Sequence, residues 1–172
     1  MPEAGLRTLL HYTARATFVV FACAFAGNAL SNLWPSGISR WLARRRDWFL
    51  LGVAVSHTFH LAAIVPFFQV AGWSKLRLYA VAGGGFIYLL IYGLAVVATL
   101  RLHGKSDVFF LGAPRFEAIA IYAIWLIFAL AFVPRIISGW PVYSVFGVAV
   151  LVALVLRIAC LFLHRRALAA SA

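Results

Sequence analysis

The sequence predicts an all-α integral membrane protein, a helical bundle of about five transmembrane helices. The chain has 172 residues, of which 65% are hydrophobic and 11% are charged. Its mean hydropathy is +1.00, and its apolar residues form continuous runs without the alternation of β-barrel strands. A soluble domain is nearer half apolar and a quarter charged, and a chain of this size cannot bury so much apolar surface in one core. These observations exclude a soluble enzyme, a disordered tail and a nucleic-acid-binding module.

Five runs are long enough to cross a bilayer, which takes about 20 mainly apolar residues. They cover residues 16–34, 48–69, 78–100, 118–133 and 142–163. The connections between them are short, so residues 1–172 are interpreted as a single transmembrane domain. The segment before the first run contains Glu3 and few basic residues, and no evident small-residue cleavage site follows the run. The first run is therefore interpreted as a retained span and not as a signal peptide.

The basic residues predict the orientation of the chain. One side of the membrane carries Arg7, Arg15, Lys75, Arg77 and Arg135, and the other carries Arg40, Arg44, Arg45, Arg46, Arg101, Lys105, Arg115, Arg165 and Arg166. Because the side richer in Lys and Arg faces the cytoplasm, we expect the N-terminus outside and the C-terminus in the cytoplasm. The net charge of +11 also favours contact with anionic lipid. We expect an integral protein of a bacterial inner (cytoplasmic) membrane whose partner is the lipid bilayer and not nucleic acid.

Two histidines in the second run are the candidates for a functional site. Counted from Trp48 at about 1.5 Å per residue, His57 and His60 reach the middle of the bilayer, and their i, i+3 spacing places them on one helix face. Ionisable groups at this depth are costly and usually functional. Neutral imidazole binds haem iron and zinc, but zinc prefers three or four ligands. Alternatively, each imidazole hydrogen-bonds to a neighbouring helix, with Asn28 or Asn32 as the partner.

Residues 14–61 carry a resemblance to a known family. A loop that ends in Arg44, Arg45 and Arg46 is followed by an apolar run that contains Phe59 and His60. This pattern resembles the ferric reductase-like transmembrane domain family, which includes the haem subunit of the bacterial methionine sulfoxide reductase system. The resemblance implies that His60 is the first haem ligand. It also implies a cytoplasmic basic loop, in agreement with the orientation that the charges predict.

The resemblance further implies a membrane subunit for electron transport, an oxidoreductase component with haem b as its cofactor. The sequence has no dinucleotide-binding or nucleotide-phosphate motif, so the electron donor, a flavoprotein or a quinone, would be separate and the acceptor would lie at the outer face. Metal binding is expected at His60 and His57. The cofactor would also contact Arg45 and Arg46, which could instead serve as topology signals or bind lipid phosphate. No residue is predicted to be catalytic.

The fourth run departs from the family pattern. The family places its second haem histidine there, whereas this chain has no histidine between His103 and His164. Three outcomes remain open. The haem could be five-coordinate on His60, or its opposite ligand could come from His11, Tyr122 or a partner subunit. In the third outcome the chain is a haem-free subunit that serves in assembly, in protein interaction or in small-ligand binding.

Overall fold

The computed structural model describes the backbone of residues 2–73, 78–105, 114–139 and 141–170. Side chains are described in the same ranges except at 78–83, 114, 164, 165 and 167–170. In this part of the chain the secondary structure is helical, without a strand. The helices are α1 (Glu3–Leu33), α2 (Gly37–Arg44), α3 (Arg46–Ala71), α4 (Leu78–Leu102), α5 (Pro114–Phe132) and α6 (Val142–Ala170). The predicted topology residues Lys75, Arg77 and Arg165 lie outside the described side chains.

Five helices are long and apolar enough to cross a membrane, which confirms the predicted fold class. The qualifying segments are Glu3–Leu33, Arg46–Ala71, Gly84–Leu102, Arg115–Arg135 and Val142–Leu163. The first helix starts well before the predicted run at residue 16. Its extra turns at the N-terminal end are polar. Arg7 pairs with Glu3 one turn earlier at 3.0 Å, and such i, i+4 pairs stabilise exposed helix ends. The orientation of the termini stays a prediction.

The short helix α2 was not predicted, because the sequence Trp34-Pro35-Ser36-Gly37 indicates only the end of a span. Its start is fixed by a capping box with serine at both positions. The Ser36 hydroxyl accepts the Ser39 N–H at 3.1 Å, and the Ser39 hydroxyl accepts the Ser36 N–H at 2.9 Å. The helix packs closely on α1 at Gly27, where a Cβ atom would lie 3.2 Å from the Leu42 backbone. Glycine at this position therefore permits the contact.

The chain divides into two compact units. The first contains Met1–Phe21 and Asp47–Ile124, and the second contains Ala22–Arg46 and Trp125–Ala172. The single transmembrane domain over residues 1–172 stays a prediction.

In the first unit α1 and α3 run antiparallel. Thr13 bonds to His60 and Thr17 bonds to Ser56, so a later residue of α1 meets an earlier residue of α3. The buried apolar side chains of this unit include Phe18, Leu50, Leu94 and Ile121.

Three helix ends of the first unit meet at one arginine. Arg101 near the end of α4 bonds to Asp47 near the start of α3 at 3.3 Å, and it also bonds to Glu117 near the start of α5. The side chains of Arg101, Asp47 and Glu117 are 28%, 24% and 13% exposed. Because the end of α4 meets the starts of α3 and α5, these three helices alternate in direction, as consecutive membrane spans do.

Candidate functional site

The two candidate histidines lie in contact with each other inside α3. His57 and His60 follow the first residue of α3, Arg46, by rises of about 16 Å and about 21 Å along the helix axis. Their ring centroids are 5.3 Å apart and their planes are inclined by 19°. This stacking confirms that the two imidazoles share one helix face. Both side chains are half-buried.

A hydroxyl on α1 orients the ring of His60. The Nδ1 atom of His60 is 2.8 Å from Thr13 Oγ1, which also donates to the Leu9 carbonyl at 3.0 Å. A hydroxyl has one proton. In the tautomer whose Nδ1–H donates to Thr13, Nε2 of His60 is the unprotonated nitrogen. Metal-binding histidines are usually oriented in this way, by a hydrogen bond from the ring nitrogen that does not bind the metal.

His57 contacts two other rings, those of His60 and Tyr88. Its ring centroid is 4.3 Å from that of Tyr88 on α4, and the Tyr88 hydroxyl donates to the His57 carbonyl at 3.3 Å. The Nδ1 atom of His57 is buried and has no hydrogen-bond partner within the described residues. A buried polar atom without a partner costs about 1–3 kcal/mol. This nitrogen is therefore a place where a bound ligand would lower the free energy of the protein.

Further hydroxyl groups surround the histidines. Thr58 and Tyr92 hydroxyls are 2.8 Å apart, as are those of Thr17 and Ser56. Neither the threonines of α1 nor the tyrosines of α4 were predicted to lie near the histidines. The spacing of these residues could have indicated them, because Thr13 and Thr17 are spaced i, i+4, and so are Tyr88 and Tyr92. Such pairs lie on one face of a helix, and the two faces meet the histidine-bearing part of α3.

An apolar groove lies between α1 and α3 beside this cluster. It has a volume of about 640 Å³, within the range of small-molecule and cofactor pockets. Its lining is apolar except for Thr13 and Gln69, and neither histidine is among the lining residues. The groove and the histidine pair are therefore separate features that share Thr13.

The two predicted arginines lie at the junction of α2 and α3. Arg45 is the exposed C-cap of α2, and Arg46 is the first residue of α3. Along α3, Arg46 precedes His60 by about 21 Å, about two thirds of the hydrocarbon thickness of a bilayer. Of the four predicted cofactor-binding residues, only His57 and His60 form one site.

The predicted partners of the histidines also differ from those observed. The partner of His60 is Thr13, whereas Asn32 donates to Cys160 Sγ at 3.4 Å. His11, a candidate second ligand, precedes Thr13 by two residues, so it points about 160° away from it around α1. Among the described residues no group of three or more His, Cys, Asp or Glu side chains could hold a metal ion.

The two histidines on this face of α3 could supply one protein ligand to a haem iron. The ring of His60, oriented by Thr13, fits this role. A ligand for the opposite haem face is not provided by the histidine pair, because both rings project from the same face of α3.

Comparisons with known proteins give no match. No family model matches the chain, and neither the search of curated proteins nor the search of solved structures finds a similar one.

Proposed function

We propose that the chain is a haem-binding membrane subunit for transmembrane electron transfer, of the ferric reductase-like kind that residues 14–61 resemble. The observation that supports this function is the state of the two imidazoles deep within α3. His60 is oriented by a hydrogen bond at Nδ1, and its Nδ1–H tautomer would leave Nε2 to bind iron. His57 has a buried nitrogen without a partner among the described residues. Bound haem b would supply a reversible one-electron iron couple.

The residues of this chain then have distinct roles. His60 would hold the haem iron, and Thr13 would be a positioning residue that holds the tautomer and ring orientation of His60. His57 stacks on His60 and would restrict the rotation of that ring, while the Tyr88 ring lies against His57. The apolar helices around the cluster keep water away, which influences the reduction potential of a buried iron.

The same proposal includes partners and location. Electrons would come from a separate flavoprotein or quinone and pass to an acceptor at the outer face of a bacterial inner membrane. The N-terminus would lie outside and the C-terminus in the cytoplasm, as the basic residues predict. Because the two histidines share one face of α3, a second ligand would have to come from Tyr122 or from a partner subunit; otherwise His60 would be the single protein ligand.

Visible spectroscopy tests this function. The protein is purified in detergent from haem-replete cells, and spectra are recorded after oxidation and after dithionite reduction. We expect a Soret band in the wild type and its loss in His60→Ala. His103→Ala is the matched control, because His103 bonds to the Thr99 carbonyl on α4, away from the histidine pair, and it should keep the band. A colourless wild type, or an unchanged band in His60→Ala, would overturn the proposal.

The second candidate is a haem-free integral membrane subunit that serves in assembly, protein interaction or small-ligand binding. The observation that favours it is that one cluster joins three helices of the first unit. Thr13 on α1 bonds to His60, and Tyr88 on α4 stacks on His57. Such contacts suffice to pack helices in lipid. If the subunit is haem-free, we expect a colourless wild type. We also expect His60→Ala to lower the free energy of unfolding without any spectral change.

A further inference from the structure

The short helix α2 presents two different faces. One face packs on α1, where Ser39 is buried and Leu42 approaches Gly27. The other face carries Ile38 and Trp41, which are 75% and 49% exposed. Together with its capping box, the close contact at Gly27 fixes α2 to α1. Ile38 and Trp41 therefore lie on a surface of the second unit whose position relative to α1 is fixed.

The same outward surface is strongly basic. Arg40 and Arg44 are spaced i, i+4 and lie on one side of α2, and Arg45 follows directly; all three are exposed. No acidic residue occurs between Pro35 and Arg46. Within the described residues no ion pair involves Arg40, Arg44 or Arg45, while Glu3 pairs with Arg7, and Asp47 and Glu117 pair with Arg101. Like charges at i, i+4 destabilise a helix, so an external anion would stabilise α2.

We propose that the outward face of α2 binds the headgroup of an anionic phospholipid. The guanidinium groups of Arg40 and Arg44 bind its phosphate, because a guanidinium matches phosphate oxygens with two parallel N–H donors. Ile38 and Trp41 enter the apolar region at the base of the headgroups, where tryptophan is favoured. The exposed apolar side chains beside the arginines favour a lipid over a soluble anion. The surface is defined by Ile38, Arg40, Trp41 and Arg44.

Lipid retention tests the charged half of this surface. The full chain is loaded with phosphatidylglycerol or phosphatidylcholine in detergent, and the bound lipid is counted by native mass spectrometry over a lipid titration. Each surface Lys or Arg contributes about 1 kcal/mol to anionic lipid binding. The double variant Arg40→Gln/Arg44→Gln should therefore bind phosphatidylglycerol about 25-fold more weakly. Phosphatidylcholine binding should not change.

The matched control is Lys105→Gln/Arg115→Gln, which removes the same charge from two exposed residues on the same predicted side of the membrane. It should change phosphatidylglycerol binding less than twofold. An equal loss in both double variants would show that binding follows net charge, and it would overturn a site on α2. So would a wild type with no preference for phosphatidylglycerol.

The apolar half is tested by Ile38→Gln/Trp41→Gln, which keeps every charge. It should also weaken phosphatidylglycerol binding, and millimolar inorganic phosphate should not displace the lipid from the wild type. Displacement by inorganic phosphate would identify a soluble-anion site and overturn the lipid proposal. Far-ultraviolet circular dichroism of each variant shows whether its helices are intact. Because these measurements need no haem, repeating them in His60→Ala separates this proposal from the function proposed above.

Discussion

The two compact units connect their helices in different ways. In the first unit, polar side chains meet between helices, as Thr13 meets His60 and Thr17 meets Ser56. In the second unit, a polar contact between Asn32 and Cys160 is accompanied by rings and small residues: Phe25 stacks on Trp125 with centroids 6.3 Å apart, and Gly27 admits α2. Polar groups are costly in lipid. The first unit therefore joins its helices through a polar cluster that contains the two candidate histidines, whereas the second unit adds aromatic stacking and a surface helix.

The largest expected effect concerns the ion cluster of the first unit. Arg101→Met leaves Asp47 and Glu117 partly buried without their common cation. Removing one partner of a buried ion pair costs 3–5 kcal/mol, and since these side chains are partly exposed we expect a loss of about 2–3 kcal/mol of unfolding free energy. Unfolding by sodium dodecyl sulfate in mixed micelles measures it. Arg115→Met at an exposed position should change the value by less than about 0.5 kcal/mol. Equal losses in the two variants would contradict the cluster.

The next effect concerns close packing in the second unit. Gly27→Leu places a side chain where a Cβ atom already lies 3.2 Å from the Leu42 backbone. Such overpacking costs about 1–3 kcal/mol, and the same unfolding experiment measures it. The control is Gly84→Leu, because a Cβ at Gly84 meets no atom within 4 Å, and leucine favours a helix more than glycine does. If Gly27→Leu were as stable as the wild type, α2 would not be held against α1.

These two regions also show what the sequence can predict. Five apolar runs predict five spans, because the length of an apolar run is fixed by the thickness of the bilayer. The length of an apolar run does not reveal α2, because its eight residues are too few to span a bilayer. Its capping box is also hard to recognise in the sequence, because it has Ser39 where glutamate or glutamine is usual.

The candidate site could be predicted only in part. The i, i+3 spacing of His57 and His60 predicts their shared face from one helix alone. The bond between Thr13 and His60 depends on the register between α1 and α3, which side-chain packing sets and single-helix periodicity does not contain. The position of Arg46 relative to His60 follows from helix rise alone, so their separation could have been calculated from the sequence.

A stabilising effect is expected from His57→Phe. The substitution keeps a ring in contact with His60 and Tyr88, and it removes the buried Nδ1 atom that has no partner among the described residues. In protein prepared without haem, it should raise the unfolding free energy by about 1 kcal/mol, because the desolvation cost of that nitrogen disappears. By contrast, Tyr88→Phe removes the hydrogen bond to the His57 carbonyl and should lower the unfolding free energy. Destabilisation by His57→Phe would mean that the nitrogen is already satisfied.

The smallest expected effect is that of Thr13→Val, which keeps the shape of the side chain and removes the hydroxyl bonded to His60. Hydrogen bonds between membrane helices contribute about 0.6 kcal/mol on average, so the loss of stability should be of that size. In the haem-loaded protein, the variant should also shift the Soret band, because the orientation of His60 is released. Thr13→Ser keeps the hydroxyl and should behave as the wild type. A Soret band identical in Thr13→Val and wild type would remove the positioning role of Thr13.

The spin state of the ferric protein, measured by electron paramagnetic resonance together with the haem content per chain, tests the central claim most directly. Because His57 and His60 project from one face of α3, we predict one haem per chain with a high-spin, five-coordinate ferric signal that disappears in His60→Ala. A protein that contains no haem when purified from haem-replete cells would contradict the claim. So would a low-spin signal that persists without His60.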